Sequence, residues 1–473
     1  MDTSASTRRI ALIAISLTSL LTPLMASSVN VALPQIGQEF HMPAVLLSWV
    51  ATAYSLASAV FLVPFGKVAD IHGRKRIYIV GVAFYTAASV LCALAPSGPS
   101  LVICRVLQGI GGAMIFGTGI AILTSVYPPG QRGYVLGINT AVVYAGLSVG
   151  PFLGGLLVGQ WGWRSVFWAN VPLGLAALLF TLWKVEGEWA GSPGDSFDLR
   201  GSLLYGLAVI AVMYGFSQLP DLLGIGLIAA GLLIAGVFVW QEGHVERPVL
   251  DLRLFRTHRV FTLSSLAALV NYLATSSVTF LLSLYLQYIK GMSPQQAGAT
   301  LITQPLIMAT FSPLSGRLSD RIEPRIVASV GMVLTVVGLL LLTALGRETS
   351  LGYVLACQVV LGLGFALFSS PNVSAIMGSV ERQFYGVASG MVGTMRLFGQ
   401  TLSLGITMLL FALYIGRVQI TSQHYDAFLL SARINFLVSA LLCMGGVFAS
   451  LARGRIHNQV SASAKLSTES EAR

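Results

Sequence analysis

Residues 133–163 read GYVLGINTAVVYAGLSVGPFLGGLLVGQWGW, a stretch with no Asp, Glu, Lys or Arg between Arg132 and Arg164. A helix of about 20 such residues crosses a hydrocarbon core roughly 30 Å thick and keeps its backbone hydrogen bonds within itself, as lipid requires. The glycines inside it are ordered: Gly137, then Gly146, then Gly150-Pro151, then Gly154-Gly155. Small residues at spacing four let two helix backbones touch, and Pro151 leaves an i−4 carbonyl free and bends the helix. The stretch predicts a membrane-spanning helix with a smooth face and a hinge.

Outward from this stretch the same character repeats. Thirteen more apolar stretches run 10–38, 40–66, 77–104, 106–131, 165–183, 201–220, 222–241, 260–289, 291–316, 326–346, 349–380, 383–416 and 434–452, with only Arg396 interrupting any of them. The whole chain of 473 residues is 55% hydrophobic and 10% charged, with 50 glycines, and its mean hydropathy is +0.79. Such a composition excludes a string of soluble domains, and the long unalternating spans exclude a β-barrel. The expected fold class is an all-α polytopic membrane protein of fourteen transmembrane helices.

Charge supplies the orientation. With the N-terminus inside, 21 of the 28 Lys and Arg residues fall in cytoplasmic loops or the tail, five fall outside, and Arg105 and Arg396 lie within spans. This obeys the positive-inside rule with both termini cytoplasmic and predicts a multi-pass protein of a prokaryotic cytoplasmic membrane. The formal charge of +10 then reflects topology, and no nucleic-acid partner is expected. Arg8-Arg9, an apolar run and Ala26-Ser27-Ser28 imitate a signal peptide, but the run is long and is read as an uncleaved first helix. Cys92, Cys104, Cys357 and Cys443 all lie in spans without a CxxC pair, so neither a disulfide framework nor a metal site is expected.

The two halves of the chain resemble each other. PFGKVAD at 64–70 matches PLSGRLSD at 313–320, CRVLQGIG at 104–111 matches CQVVLGLG at 357–364, and Arg132 matches Arg382. Three correspondences in one order argue for an internal repeat. The expected domains are a six-helix bundle over 1–184, an inserted helix pair with flanking loops over 185–259, a second six-helix bundle over 260–452, and a disordered cytoplasmic tail over 453–473. Parallel repeats around a central pathway are a transporter architecture.

At these motifs the chain resembles the major facilitator superfamily and, within it, the fourteen-helix drug:proton antiporters, to about residue 452. The family's loop pattern Gly-x-Leu-Ala-Asp-Arg-x-Gly-Arg-Lys is met by Gly66, Ala69, Asp70, Gly73, Arg74 and Lys75, with Val68 and Ile71 departing. Gly66 and Gly73 are expected to permit a tight turn and close helix approach, and Asp70 to complement the positive N-terminus of the next helix. The unit returns as Gly316 and Asp320, and both loops are expected to act as gate latches. The opening pattern, Gly137, Gly146, Gly150, Pro151, Gly154 and Gly155, resembles the family's antiporter motif, which superfamily importers usually lack.

Arg105 lies deep in a span with Gln108 following. An intramembrane charge is costly unless it faces a polar cavity or a partner. The resemblance implies a role for it in proton or substrate coupling. Asn30 and Arg396 join them as cavity candidates, with Tyr54, Tyr144, Asn271, Tyr272, Gln304 and Asn372 as further polar or aromatic candidates. Met25 stands where the family pattern has an acid, and no other Asp or Glu is mid-span. A cavity with arginines and no carboxylate is expected to favour anionic, neutral or zwitterionic solutes.

These features predict a monomeric secondary transporter without cofactor or metal, exporting small amphipathic compounds by alternating access with proton antiport. There is no Gly-x4-Gly-Lys-Ser/Thr for ATP binding. The alternatives are an importer or exporter of a dedicated metabolite without proton coupling and, more remotely, an intramembrane enzyme or receptor. No His/Cys/Asp cluster supports the last of these.

Overall fold

A computed structural model describes residues 5–185, 187–190, 196–245, 259–380, 385–416 and 418–454. The first six helices are α1 (Ala5–Glu39), α2 (Ala44–His72), α3 (Arg74–Ala93), α4 (Gly98–Val126), α5 (Pro129–Trp161) and α6 (Arg164–Lys184). A pair follows, α7 (Leu199–Gln218) and α8 (Leu222–Glu242). The second set is α9 (Arg259–Leu284, continued by a π turn over Tyr285–Ile289), α10 (Pro294–Leu301), α11 (Thr303–Arg321), α12 (Pro324–Leu342), α13 (Leu351–Gly378), α14 (Tyr385–Tyr414) and α15 (Tyr425–Ala452). Successive spans run antiparallel. We call the end where α1 begins and α15 finishes the base, and the opposite end the crown.

Local chemistry marks the boundaries. Ser97 and Ser100 form a capping box that starts α4, and Ser293 and Gln296 form another at α10. Gly73, at φ +110°, turns the chain between α2 and α3, where the left-handed backbone favours glycine. Thirteen helices among the described residues are long and apolar enough to cross a membrane. The expected span 291–316 is the exception, because it is built as α10 and α11 with a break at Ile302. Pro305 offers no N–H to the Leu301 carbonyl, which accounts for the break. The outward faces are apolar: Leu222 is 86% exposed and Leu233 73%, as suits lipid contact.

The repeat read in the sequence is present in the packing. A Cβ on Gly109 of α4 would stand 2.5 Å from the Tyr54 carbonyl of α2, and one on Gly362 of α13 would stand 2.7 Å from the Gln304 carbonyl of α11. Gly111 abuts Tyr85 of α3 as Gly364 abuts Thr335 of α12. The fold is thus two six-span repeats plus an inserted pair. The insert is not peripheral on one side: Tyr205 of α7 donates to the Ala59 carbonyl of α2 at 2.8 Å and lies edge-on to Phe398 of α14. α7 therefore lies across the seam between the repeats.

Residues 246–258, 381–384 and 455–473, with the loop basics Arg247 and Arg382 and nearly all of the expected tail, lie outside the described residues. The tail's first residue does not behave as tail. Arg453 is 1% exposed, and it donates to Ser264 Oγ (3.1 Å), Asn372 Oδ1 (2.7 Å) and the Pro324 carbonyl (2.9 Å). It pins the base ends of α9, α12 and α13 to α15. Burial pushes its guanidinium down to about 10, which leaves it charged at neutral pH.

Candidate functional site

Between the repeats, midway along the helices, lies a chamber of about 190 Å³. The first half contributes Asn30 of α1, Tyr54 of α2, Arg105 of α4 and Pro151 of α5, and the second contributes Tyr272 of α9 and Gln304 of α11. Tyr54 and Gln304 occupy matching places in the two repeats, beside the glycines that approach their backbones. Met25, at the family's acid position, is buried in the core and does not line the chamber. Among the described residues no Asp or Glu lines it.

Arg105 is 1% exposed. Its Nε donates to the Val50 carbonyl at 2.9 Å, its Nη1 donates to Gln108 Oε1, and its guanidinium lies 4.6 Å from the Tyr54 ring centroid. Gln108 does not reach the chamber. Its Nε2 donates to Ser89 at 2.8 Å, so it orients Arg105 from behind and is not itself a cavity residue. Arg105 both pairs with backbone and lines the cavity: the inner edge of the fork is tied down and the outer Nη2 has no hydrogen-bond partner among the described residues.

The patterned glycines of α5 face two partners. A Cβ on Gly146 would stand 2.6 Å from the Leu20 carbonyl of α1, one on Gly150 would stand 2.7 Å from the Leu24 carbonyl, and one on Gly154 would stand 2.7 Å from Ser28 Cα. Ser28 Oγ donates to the Gly150 carbonyl at 2.7 Å. Gly155 turns the other way, and its Cβ would stand 2.5 Å from the Pro294 carbonyl of α10, across the seam. One helix thus touches its own half and the opposite half with backbone at both contacts. Gly137 lies in α5, but its surroundings are outside the described residues.

Toward the crown the seam is sewn by polar contacts. Ser283 donates to the Asn30 carbonyl (2.6 Å), Gln287 to the Val31 carbonyl (3.0 Å), and the Ala44 N–H to the Val418 carbonyl (2.8 Å). Toward the base the halves meet through apolar contact of Ala59 and Leu62 with Leu397. Tyr144 of α5 and Ser369 of α13 are hydrogen-bonded across the seam between these regions.

The base loop after α2 departs from its expected form. Gly66 lies inside α2 with no atom within 4 Å of a Cβ, so neither a turn nor close approach explains it. Asp70 does not cap α3; it accepts from Arg74 Nε at 2.7 Å, and Arg74 Nη1 reaches the Ala121 carbonyl (3.1 Å) and Ser125 of α4. The α3 N-terminus is instead complemented by Glu188, whose Oε1 accepts from the Lys75 N–H at 2.8 Å, and by the Trp189 carbonyl, which accepts from the Arg74 N–H at 2.8 Å. In the second half, a Cβ on Gly316 would stand 3.1 Å from Ser370 Oγ. Asp320 lies in the last turn of α11, with its side chain outside the described residues.

Three further candidates move. Arg396 does not line the central chamber but a second one, of about 110 Å³, on the base side. Asn271 is fully buried with neither amide atom partnered. Asn372 serves Arg453, and its Nδ2 donates to the Ser264 carbonyl at 3.1 Å.

The Major Facilitator Superfamily profile matches residues 15–240 and 264–467. The chain belongs to that superfamily. It is 34% identical over 410 residues to the multidrug resistance protein Stp of Mycobacterium tuberculosis (strain CDC 1551 / Oshkosh), covering 85% of this chain and 75% of that protein. It is 29% identical over 442 residues to the riboflavin transporter RibZ of Clostridioides difficile (strain 630), covering 93% and 96%. A crystal structure of a bacterial homologue of the human lysosomal transporter Spinster, inward-facing and unoccupied, superposes with TM-score 0.68 at 17% identity, over 95% of this chain and 97% of that one. The last likeness concerns the fold alone. The chain is a multi-pass membrane transporter of a family that handles small molecules.

Proposed function

We propose that this superfamily member is a monomeric exporter of small amphipathic compounds, rocking the bundles 1–184 and 260–452 about the central chamber in exchange for protons. The observation that carries the reading is the shared chamber beneath α5, whose glycines touch α1 in one half and α10 in the other. Backbone contact on both sides lets α5 pivot without side chains to re-pack. The basic loops support a cytoplasmic base and an external crown, and on that reading the polar stitching of the crown supports an arrangement closed to the outside. The multidrug resistance name of the Mycobacterium tuberculosis relative supports export.

The proton has no acid in the chamber wall among the described residues. Asp70 and Asp320, at the base, and the polar surroundings of Arg105 are the groups left to couple it. A second reading, a dedicated metabolite transporter without proton coupling, is favoured by the likeness to RibZ over 93% of the chain. Energised everted vesicles decide between them. Collapse of a pH gradient by lipophilic drugs, dependent on this protein and lost in Arg105→Ala, is the expected result. Riboflavin flux without proton movement, with no response to the drugs, would establish the second reading.

A further inference from the structure

The base-side chamber has a composition of its own. Ser19 of α1, Phe116 of α4, Asn139 and Tyr144 of α5, Tyr272 of α9 and Arg396 of α14 are among its walls. Tyr272 is common to this chamber and the central one. The partition is aromatic: Tyr144, bonded to Ser369, lies edge-on to Phe365 at 6.4 Å, and Tyr272 lies edge-on to Phe365 at 5.6 Å. The partition spans the seam, because Tyr144 belongs to one half and Tyr272, Phe365 and Ser369 to the other.

Arg396 is the unexplained group. Among the described residues no hydrogen bond or ion pair reaches it, and its described contact is the Phe116 ring, 5.2 Å from the guanidinium carbon. A guanidinium inside a membrane bundle needs a counter-charge or strong acceptors, and no Asp or Glu lines this chamber among the described residues. Asn139, 7% exposed on the same wall, has an amide Oδ1 without a partner. A fork of donors, an open acceptor and three aromatic rings facing one space form an incomplete set. A flat solute with an anionic acceptor at one edge and a hydroxyl or N–H at another completes it.

We propose that the base-side chamber is a loading site for aromatic anions, held by Arg396 through their carboxylate or phenolate and by Asn139 through a donor group, ahead of the central chamber. Passage between the two requires the Tyr144–Ser369 bond to open, which couples loading to separation of the halves on the base side. Arg105, whose Nη2 has no partner among the described residues, then takes over the anionic edge. This deepens the export reading above and rests on it, since loading from the base precedes release at the crown.

The test uses the purified full-length protein in nanodiscs and two probes of nearly the same shape, 7-hydroxycoumarin-3-carboxylate and its uncharged carboxamide. Wild type is expected to bind the carboxylate at least tenfold more tightly, Arg396→Gln to lose that preference, and Arg396→Lys to keep most of it. Because no hydrogen bond or ion pair to Arg396 is found among the described residues, Arg396→Gln is expected to melt no lower than wild type. Equal affinity for both probes in wild type, an undiminished preference in Arg396→Gln, or a lowered melting temperature would each overturn the loading site. Binding is read without any gradient. Failure of drug-driven proton flux in vesicles would therefore strike the export reading and leave charge-selective binding at Arg396 standing, whereas failure of charge preference in nanodiscs would strike the loading site alone.

Discussion

The two repeats fasten their base corners with different parts of the chain. In the first, Arg74 stands at the start of α3 itself, held by Asp70 and reaching Ala121 and Ser125 of α4. In the second, the residue 250 positions later is Pro324, which has no side chain to reach with. Arg453 enters instead from the end of α15, bonding the Pro324 carbonyl, Ser264 and Asn372. A guanidinium ties a loop corner to the core in both halves. In one half it belongs to a half-exposed ion pair, with side chains 18% and 34% exposed, and in the other it is sealed at 1%. An ion pair near water can be remade as the corner moves, whereas a sealed fork holds its helices in one arrangement. The contrast supports our proposal that the first half carries the moving latch and the second a fixed brace.

The strongest way to break this contrast is Arg453→Met. Leaving Asn372, Ser264 and a backbone carbonyl buried without their charged donor costs about 3 kcal/mol or more. A large fall in melting temperature and poor recovery of monodisperse protein are expected. Retained stability would mean that the brace is dispensable. Arg74→Met is expected to cost only about 1 kcal/mol, since partly exposed pairs contribute little, yet to reduce drug efflux severalfold in vesicles. A stability loss equal to that of Arg453→Met, with efflux per folded molecule unchanged, would erase the distinction. A finer comparison is Asp70→Asn against Asp320→Asn. Asp70 has its arginine four residues on, and Asp320 has Pro324 there, so Asp70→Asn is expected to lower efflux more.

How much of this was legible in the sequence depends on whether the signal was periodic or assembled. The spans, the repeat and the small-residue face of α5 are written in local spacing, and the structure places Gly146, Gly150, Gly154 and Gly155 at the close contacts their spacing implies. Arg105 stood out because a charge in a long apolar run has few explanations. Arg453 did not, because an arginine just past the last apolar run reads as a topogenic charge, and only the convergence of α9, α12 and α13 buries it. The base-side chamber was hidden for a similar reason, since its walls come from six helices and no two of its chemical groups are neighbours in a motif. Gly66 is a motif position at which a Cβ would meet no atom within 4 Å, so its spacing in the motif does not translate into a contact of its own. Pro305 was visible all along, yet its effect, splitting a span into α10 and α11, is lost in a hydropathy reading that counts only charges.

The smallest expected effect probes what the motif reading assigned to Asp70 and the structure gives to Glu188. A carboxylate accepting from the first N–H groups of a helix satisfies donors that the helix itself cannot, and opposes the positive end of its dipole. Here it comes from the segment joining α6 to α7: Glu188 Oε1 accepts from the Lys75 N–H, Arg76 lies 3.8 Å from Oε2, and Gly73 leaves the room the carboxylate occupies. Glu188→Ala is expected to cost about 1 kcal/mol, the usual worth of a lost helix N-cap, and to leave Arg74 on Asp70. The change should appear as faster protease cleavage between Lys184 and Arg200, with melting temperature lowered by a degree or two at most. If efflux falls as far as in Arg74→Met, the connector to the inserted pair belongs to the latch. If cleavage and efflux are both unchanged, Glu188 is an ordinary surface cap, and the moving corner is Asp70, Arg74 and α4 alone.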